Sequence, residues 1–321
     1  MRAHFSAVGQ SVYNRAWSPV MNKIVKQLKR KGYAITKDEN LQWWRQPDDV
    51  KIDTDIGSDV IFYANRTNDK YTRPGICVGL QGPEAGYFSM DSIGVWPCLE
   101  ITYEDRYKPV DSSFYFDEYI TLLKENKTNH YHNRYLNPGK DSPVTEVPDD
   151  HVLLLLSHSN DKWISNQVWR VWQLARQAKE NGYNVVIKVD PELTCTKEGL
   201  VDGAKMDKLQ SWIHDLKDYA TILTGLESLH DILKKTRVCV TDENNIHLEP
   251  FMYKVPVLTH GNPPYRHHVK TIVHNWEYLE AIENLDWFDH LKQYNWLQWY
   301  IRNYLCEHDD TVYNRLSELG L

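Results

Sequence analysis

Cysteine is scarce in this chain of 321 residues. The five cysteines (Cys77, Cys98, Cys195, Cys239 and Cys306) are scattered, and no pair has the spacing of metal ligands. Their odd number excludes a complete disulfide framework. It fits reduced, buried thiols, so a cytoplasmic location is expected. No apolar run approaches the length of a membrane span, and residues 1–17, MRAHFSAVGQSVYNRAW, lack an apolar signal core. Positive charge is in deficit as well: 37 Lys and Arg against 44 Asp and Glu leave a net charge of −7. That weakens a case for non-specific attraction to nucleic acid or anionic membrane, while a local basic cleft stays compatible with it. No Gly-x-Gly-x-x-Gly follows the apolar run at residues 152–156, which argues against a bound dinucleotide.

What is present is the composition of a globular protein, 41% hydrophobic and 25% charged, with length enough for two domains. Twelve Trp and twenty Tyr supply packing surface and stacking faces. Residues 17–31, WSPVMNKIVKQLKRK, form an amphipathic pattern, with Ser18 as cap, Pro19 at the first position and Val20, Ile24, Val25 and Leu28 on one face. Lys26, Lys29, Arg30 and Lys31 make its solvated side. Strands are expected at 60–63 and 76–80, the second running into the Gly-rich QGPEAGYFSMDSIG. A helix is expected at 114–125. The clusters WWR (43–45) and HYHNRY (130–135) suit packing or stacking, and His-x-His without further ligands is poor for zinc.

Residues 137–150, NPGKDSPVTEVPDD, read as a linker and place a domain boundary between 148 and 149. Beyond it, strand patterns at 152–156, 184–188 and 221–223 alternate with helix patterns at 163–178 and 205–217. Such alternation predicts a parallel, Rossmann-like sheet. The alternation continues through residues 228–261, SLHDILKKTRVCVTDENNIHLEPFMYKVPVLTHG, as helix, strand, turn, helix, strand. Ser228 is the expected N-cap of the first helix, and Val238, Cys239 and Val240 have the apolar run of a buried strand. The polar turn at 241–245 opens a helix whose free N–H groups suit a phosphate, with Glu249 one turn in and placed for a ribose hydroxyl. An ordinary βαβ unit with a capped helix would show the same pattern. Arg266, in the following loop NPPYRHHVKT, has the planar fork that matches phosphate oxygens.

The run ENNIHLEPFMYKVPVLTHG resembles the donor-site signature of GT-B glycosyltransferases of the capsule-polymer kind, such as Kdo and glycerol-phosphate transferases. That signature is a Ser/Thr-rich turn, then Gly-Leu-Glu-Ala, then Gly-Lys-Pro-Val. Glu249 and Pro256 match it, Asn244 and Asn245 stand for the Ser/Thr turn, and His247 and Pro250 replace the glycine and alanine. The segment Glu84, Gly86, Tyr87, Phe88 is similar to a glutamate-glycine-aromatic element of the same enzymes. Asp161 in HSNDKW matches their aspartate after the first strand of the second domain. Lys188 and Pro191 match Lys-x-His-Pro, with Asp190 in the histidine's place.

The resemblance implies an α/β protein with two Rossmann-like domains facing a cleft, 1–148 on the acceptor side and 149–321 on the donor side. C-terminal helices within 276–319, including Trp287, Trp296, Trp299 and Tyr300, are expected to pack or to brace the first domain. It implies a glycosyltransferase using a nucleotide sugar, with no metal and no other bound cofactor. Lys188, Asn244, Asn245, His247, Glu249 and Arg266 are the candidates for holding the donor. Glu84, Asp91 or Asp161 would handle the acceptor proton, and Asp161 is the candidate nucleophile for a retaining route. The acceptor is a glycan or lipid-linked sugar, or a hydroxymethylated base in DNA. A nucleotide-sugar epimerase, or a non-catalytic sugar- or nucleotide-binding protein, is the rival reading. Stereochemistry and oligomeric state are left open.

Overall fold

In the computed structural model the described residues are 1–6, 14–37, 58–64, 75–80, 87–93, 99–103, 106–110, 113–128, 146–156, 161–194, 202–224, 227–242 and 248–321. The chain divides into two compact units, Met1–Lys108 with Trp299–Leu321, and Pro109–Gln298. The boundary expected between 148 and 149 falls inside the second of these.

The first unit holds β1 (Arg2–Ser6), α1 (Asn14–Arg30), β2 (Ala34–Lys37), β3 (Val60–Ala64), β4 (Ile76–Leu80), β5 (Phe88–Asp91) and α2 (Glu100–Tyr103). Its sheet has the order β2-β1-β3-β4-β5, parallel except for β5. Strand β1, interior to the sheet between β2 and β3, has no sequence signal of its own. Polar Arg2, His4 and Ser6 alternate with Ala3 and Phe5, so no apolar run appears, yet Ala3 and Phe5 join the core with Ile24, Leu28, Phe62 and Phe88. Helix α1 begins at Asn14, upstream of the expected cap at Ser18, and buries Val20, Ile24 and Leu28 as its pattern predicts. Strand β5 lies within the stretch expected to be a Gly-rich loop.

The second unit begins with α3 (Phe114–Glu125), where Ser113 Oγ accepts from the Phe116 N–H at 3.4 Å. It continues with β6 (His151–Leu156), α4 (Asp161–Glu180), β7 (Val185–Val189), α5 (Gly203–Ile213), β8 (Thr221–Leu223), α6 (Leu229–Leu233) and β9 (Thr236–Asp242). Then come α7 (Glu249–Met252), β10 (Val257–His260), β11 (Lys270–Thr271), α8 (Glu277–Glu283) and α9 (His290–Trp299). All six strands are parallel, in the order β11-β10-β9-β6-β7-β8. This is the doubly wound order, which grows outward from the first strand in both directions. One face packs Leu154, Leu156, Val240 and Leu258 against Val171 and Leu174 of α4. The other packs Leu153, Leu155 and Cys239 against Leu229 and Ile232 of α6. Burial on both faces is why these strands read as unbroken apolar runs. Ser228 occupies the N-cap position of α6, but its buried hydroxyl makes no cap bond and has no hydrogen-bond partner among the described residues, contrary to the capping role expected of it.

The chain then returns to the first unit through a π turn at Tyr300–Tyr304 and α10 (Asp309–Glu318). Val312 and Leu316 of α10 complete the first unit's core, so a C-terminal helix does brace the N-terminal sheet. Trp296 packs on Phe251 and Tyr265 in the second unit, whereas Trp299 meets Tyr107 and Tyr304 in the first. A buried polar network fastens α10. Arg315 Nε donates to the Met90 carbonyl at 2.8 Å and Nη2 to Glu100 Oε2 at 3.2 Å. The Tyr304 hydroxyl donates to Asp91.

Replacing Arg315 with Met removes the buried guanidinium from Glu100, which keeps Arg106 and Ser92 as partners. The expected loss of stability is about 1.5–3 kcal/mol. Leu122→Ala, at an exposed position of α3, is expected to change stability by less than ~0.5 kcal/mol. Urea unfolding followed by tryptophan fluorescence measures both.

Candidate functional site at the strand ends of the second unit

Strands β6 and β9 are neighbours, but the helices that follow them pack on opposite sides of the sheet. Helix α4, after β6, covers one face of the sheet, and the chain after β9 leads to α7, whose Phe251 packs with Tyr265. Tyr265 meets β9 at Thr241, hydroxyl to hydroxyl, at 2.9 Å. Thr241 lies on the face opposite Val240, because successive strand residues point to opposite sides. Divergence of this kind opens a crevice outside the carboxyl ends of the strands, where doubly wound proteins bind their ligands.

A cavity of about 20 Å³ lies at this point, with Leu154, Val171 and Val240 as apolar walls and Arg170, Asp242 and His260 as polar ones. His260 ends β10 and is 6% exposed. Among the described residues its buried Nε2 has no hydrogen-bond partner. Burial, and then the positive charge of Arg170, bring its pKa down to about 4, so the imidazole is neutral at pH 7.

The structure brings several expected residues to this one sheet edge. Asp161 opens α4, directly after β6, and its side chain is outside those described. Lys188, near the end of β7, is buried and paired with Glu227 at 3.2 Å, and its Nζ donates to the Val189 carbonyl at 3.0 Å. Its charge is therefore matched by a neighbouring carboxylate. Asp190, in the place of the family's histidine, donates its N–H to the Leu156 carbonyl at 2.9 Å and ties β7 to β6. Arg266 sits half-buried in a single 3-10 turn after β10, with Nε donating to His267 Nε2 at 3.1 Å.

Other expectations change. The helix carrying Glu249 is a single turn of four residues that starts at Glu249 itself, behind Leu248, rather than at the polar turn. Glu249 is 2% exposed, and its charge acts on His230, Cys239 and Tyr253, so its carboxylate faces inward rather than toward a ribose at the surface. Asn244, Asn245 and His247 lie outside the described residues, as does Glu84. Asp91 belongs to the first unit and is 0% exposed. Burial raises its pKa although Tyr304 and the N–H groups of Glu100 and Ile93 donate to it. With both oxygens engaged, Asp91 has no approach to an acceptor hydroxyl in this structure. Arg170, Asp242 and His260 were not singled out from sequence. Their one signal is position, since Asp242 and His260 are the polar residues that end the apolar runs of β9 and β10.

Among the described residues no group of three His, Cys, Asp or Glu side chains is placed to hold a metal ion. No helix among them is long and apolar enough to cross a membrane.

No protein-family model matches the chain, and no curated protein matches it. Solved structures do. The β-Kdo 2,4-transferase of KpsC from Thermosulfurimonas dismutans superposes with a TM-score of 0.53 at 12% identity, covering 92% of this chain and 90% of that one. The fold is GT-B. The β-Kdo 2,7-transferase of the same KpsC aligns over 100% of both chains at 11% identity and TM-score 0.48. HepE from Anabaena, solved with UDP, aligns over 100% of this chain and 99% of its own at 9% identity and TM-score 0.42. In the GT-B chain described here, the doubly wound second sheet is the Rossmann-like half that ends at His260 and Asp242.

Below its unfolded value of 6.5, His260 binds a proton in the unfolded chain but not in the folded one. Stability is therefore expected to fall as pH drops from 6.5 toward about 4, where the folded imidazole also protonates. In His260→Phe this part of the acid loss should disappear. Urea midpoints of parent and variant between pH 7 and pH 4 check it: parallel profiles would refute the buried, neutral state.

Proposed function

We propose that the chain is a glycosyltransferase that moves a sugar from a nucleotide-sugar donor to an acceptor hydroxyl. The observation that carries this reading is the gathering of polar side chains at the carboxyl ends of one doubly wound sheet, next to the β6/β9 divergence, in a GT-B fold. The chemistry required there is stabilisation of a departing phosphate. Arg266, and Arg170 at the cavity, supply positive charge, and Asn244, Asn245 and His247 supply polar contacts to the nucleotide. Lys188, held by Glu227, and the buried Glu249 act as positioning groups on the donor side. With Asp91 sealed, Glu84 or Asp161 takes the acceptor proton.

A net charge of −7 favours a glycan acceptor over a base in DNA. The buried thiols of Cys239 and Cys306 support a reducing, cytoplasmic setting.

A thermal-shift panel of CMP, UDP, GDP and ADP tests the donor site. One of them should stabilise the protein by about 2.7 kcal/mol when present at 100 times its Kd. Arg266→Met should weaken that binding about tenfold or more. The matching nucleotide sugar should then release nucleotide only when an acceptor glycan is added. Donor epimerisation without acceptor would point to the rival activity instead, and a panel without any shift would remove the donor site.

A further inference from the structure

We propose that the flank of the second unit formed by α4 and the β11–α8 connection is a docking surface for the sugar rings of an uncharged glycan chain. The proposal rests on the glycan-acceptor reading above for the identity of that chain. It names a binding surface beside the crevice that takes no part in the reaction itself.

Two tryptophans carry it. Trp169 of α4 is 60% exposed, and Trp276, at the N-cap position of α8, is 68% exposed. They are the two exposed tryptophans among the described residues, and Val273 beside Trp276 is exposed as well. An indole left in water forgoes the free energy of burial, and two on one flank mark a surface that a partner covers. They share that flank because Gln173, one helical turn after Trp169, accepts a hydrogen bond from the side chain of Asn275, the residue before Trp276. The connection is pinned from its own side too. The Glu277 carboxylate accepts from the N–H groups of Val273 at 2.8 Å and His274 at 3.1 Å. The His274 ring lies nearly parallel to that of Trp276, with centroids 6.1 Å apart and planes 13° from each other. Trp276 is therefore positioned before any ligand arrives, which lowers the ordering cost of binding.

Charge selects the occupant. Around the tryptophans, Arg170 and Lys270 are matched in number by Glu277 and Glu280, and Gln173 and Asn275 add uncharged amides. A flank without net charge does not draw in a polyanion such as DNA or an anionic membrane. The same charges and amides interrupt the apolar area that a second copy of the chain would need. Sugar hydroxyls are both donors and acceptors and match such a mixed set, while the C–H face of a sugar ring lies flat on an indole. The surface is continuous with the crevice through Arg170, which follows Trp169 and also walls the cavity. A glycan whose end reacts at the crevice thus lays its preceding rings along this flank.

The test titrates the full chain at pH 7.5 with maltohexaose, cellohexaose, chitohexaose and mannohexaose. A heparin hexasaccharide and a short single-stranded DNA are the polyanionic probes. The parent is expected to bind at least one neutral hexasaccharide more tightly than either polyanion. The indole N–H resonances of Trp169 and Trp276, assigned from their loss in Trp169→Ala and Trp276→Ala, should shift on binding. Each alanine variant should bind about fivefold or more weakly, whereas Trp169→Phe and Trp276→Phe keep most of the affinity. Both positions are exposed, so the variants fold, and their nucleotide binding should be unchanged. The surface is overturned if none of the neutral hexasaccharides binds, if a polyanion binds as tightly, or if the alanine variants bind as well as the parent. The donor site stands in each of those cases as long as a nucleotide of the thermal-shift panel binds. If a neutral hexasaccharide docks on the tryptophans and no nucleotide binds, the donor site falls and the surface remains, that of a sugar-binding protein.

Discussion

Two adjacent parallel strands that release their chains to opposite faces of a sheet leave a gap that no helix covers. In the second unit β6 and β9 are those strands, and the gap is where polar chemistry is tolerated. Inside the sheet it is not, because Leu153, Leu154, Leu155, Val238, Cys239 and Val240 are buried from both sides and an unpaired polar group there would be costly. The result is a sharp gradient along each strand, apolar in the middle and polar at the carboxyl end: Lys188 on β7, Asp242 on β9 and His260 on β10. The candidate site is this gradient repeated on neighbouring strands.

The first unit uses its polar residues differently. Asp91 and Glu100 stand 9 residues apart in one buried network, yet their pKa values move in opposite directions. Burial raises Asp91: the Tyr304 hydroxyl and the amides of Glu100 and Ile93, with Arg315 4.0 Å away, offset the lost solvation only in part. Burial acts on Glu100 as well, but the Ser92 hydrogen bond and the charge of Arg315 outweigh it. Arg315 is what allows a C-terminal helix to close over β5, binding Met90 with one arm and Glu100 with another. A carboxylate engaged this way holds the fold together and is withdrawn from chemistry.

Much of the second unit was legible in the residues. The expected helix at 114–125 is α3 to the residue, and the strand at 221–223 is β8. The apolar runs at 152–156, 184–188 and 238–240 lie in β6, β7 and β9, with ends shifted by a residue or two. Apart from the three-residue, half-exposed β8, these elements are long or buried on both faces, so local periodicity and burial agree. Strands β1 and β5 were not legible. RAHFS and FSMD contain His4, Ser89 and Asp91, polar side chains that are nevertheless buried, and no local pattern announces burial of a polar group. The same blindness affected the site. Asp91 looked available because it sits in a polar stretch, and Glu249 looked exposed because it follows a polar turn, but both are covered by residues distant in sequence.

By itself the sequence determined the alternation of strands and helices, the parallel second sheet and the segment, 228–261, that supplies Asp242 and His260 to the site. Hydrophobic periodicity is a local property, and it survives in the string of residues. Only the tertiary structure decided that α10 belongs with the first unit, that Lys188 is matched by Glu227, and that His260 keeps a bare nitrogen beside Arg170. Each of these depends on which side chains meet across the fold. Desolvation, pairing and charge are set by those meetings, and no stretch of sequence contains them.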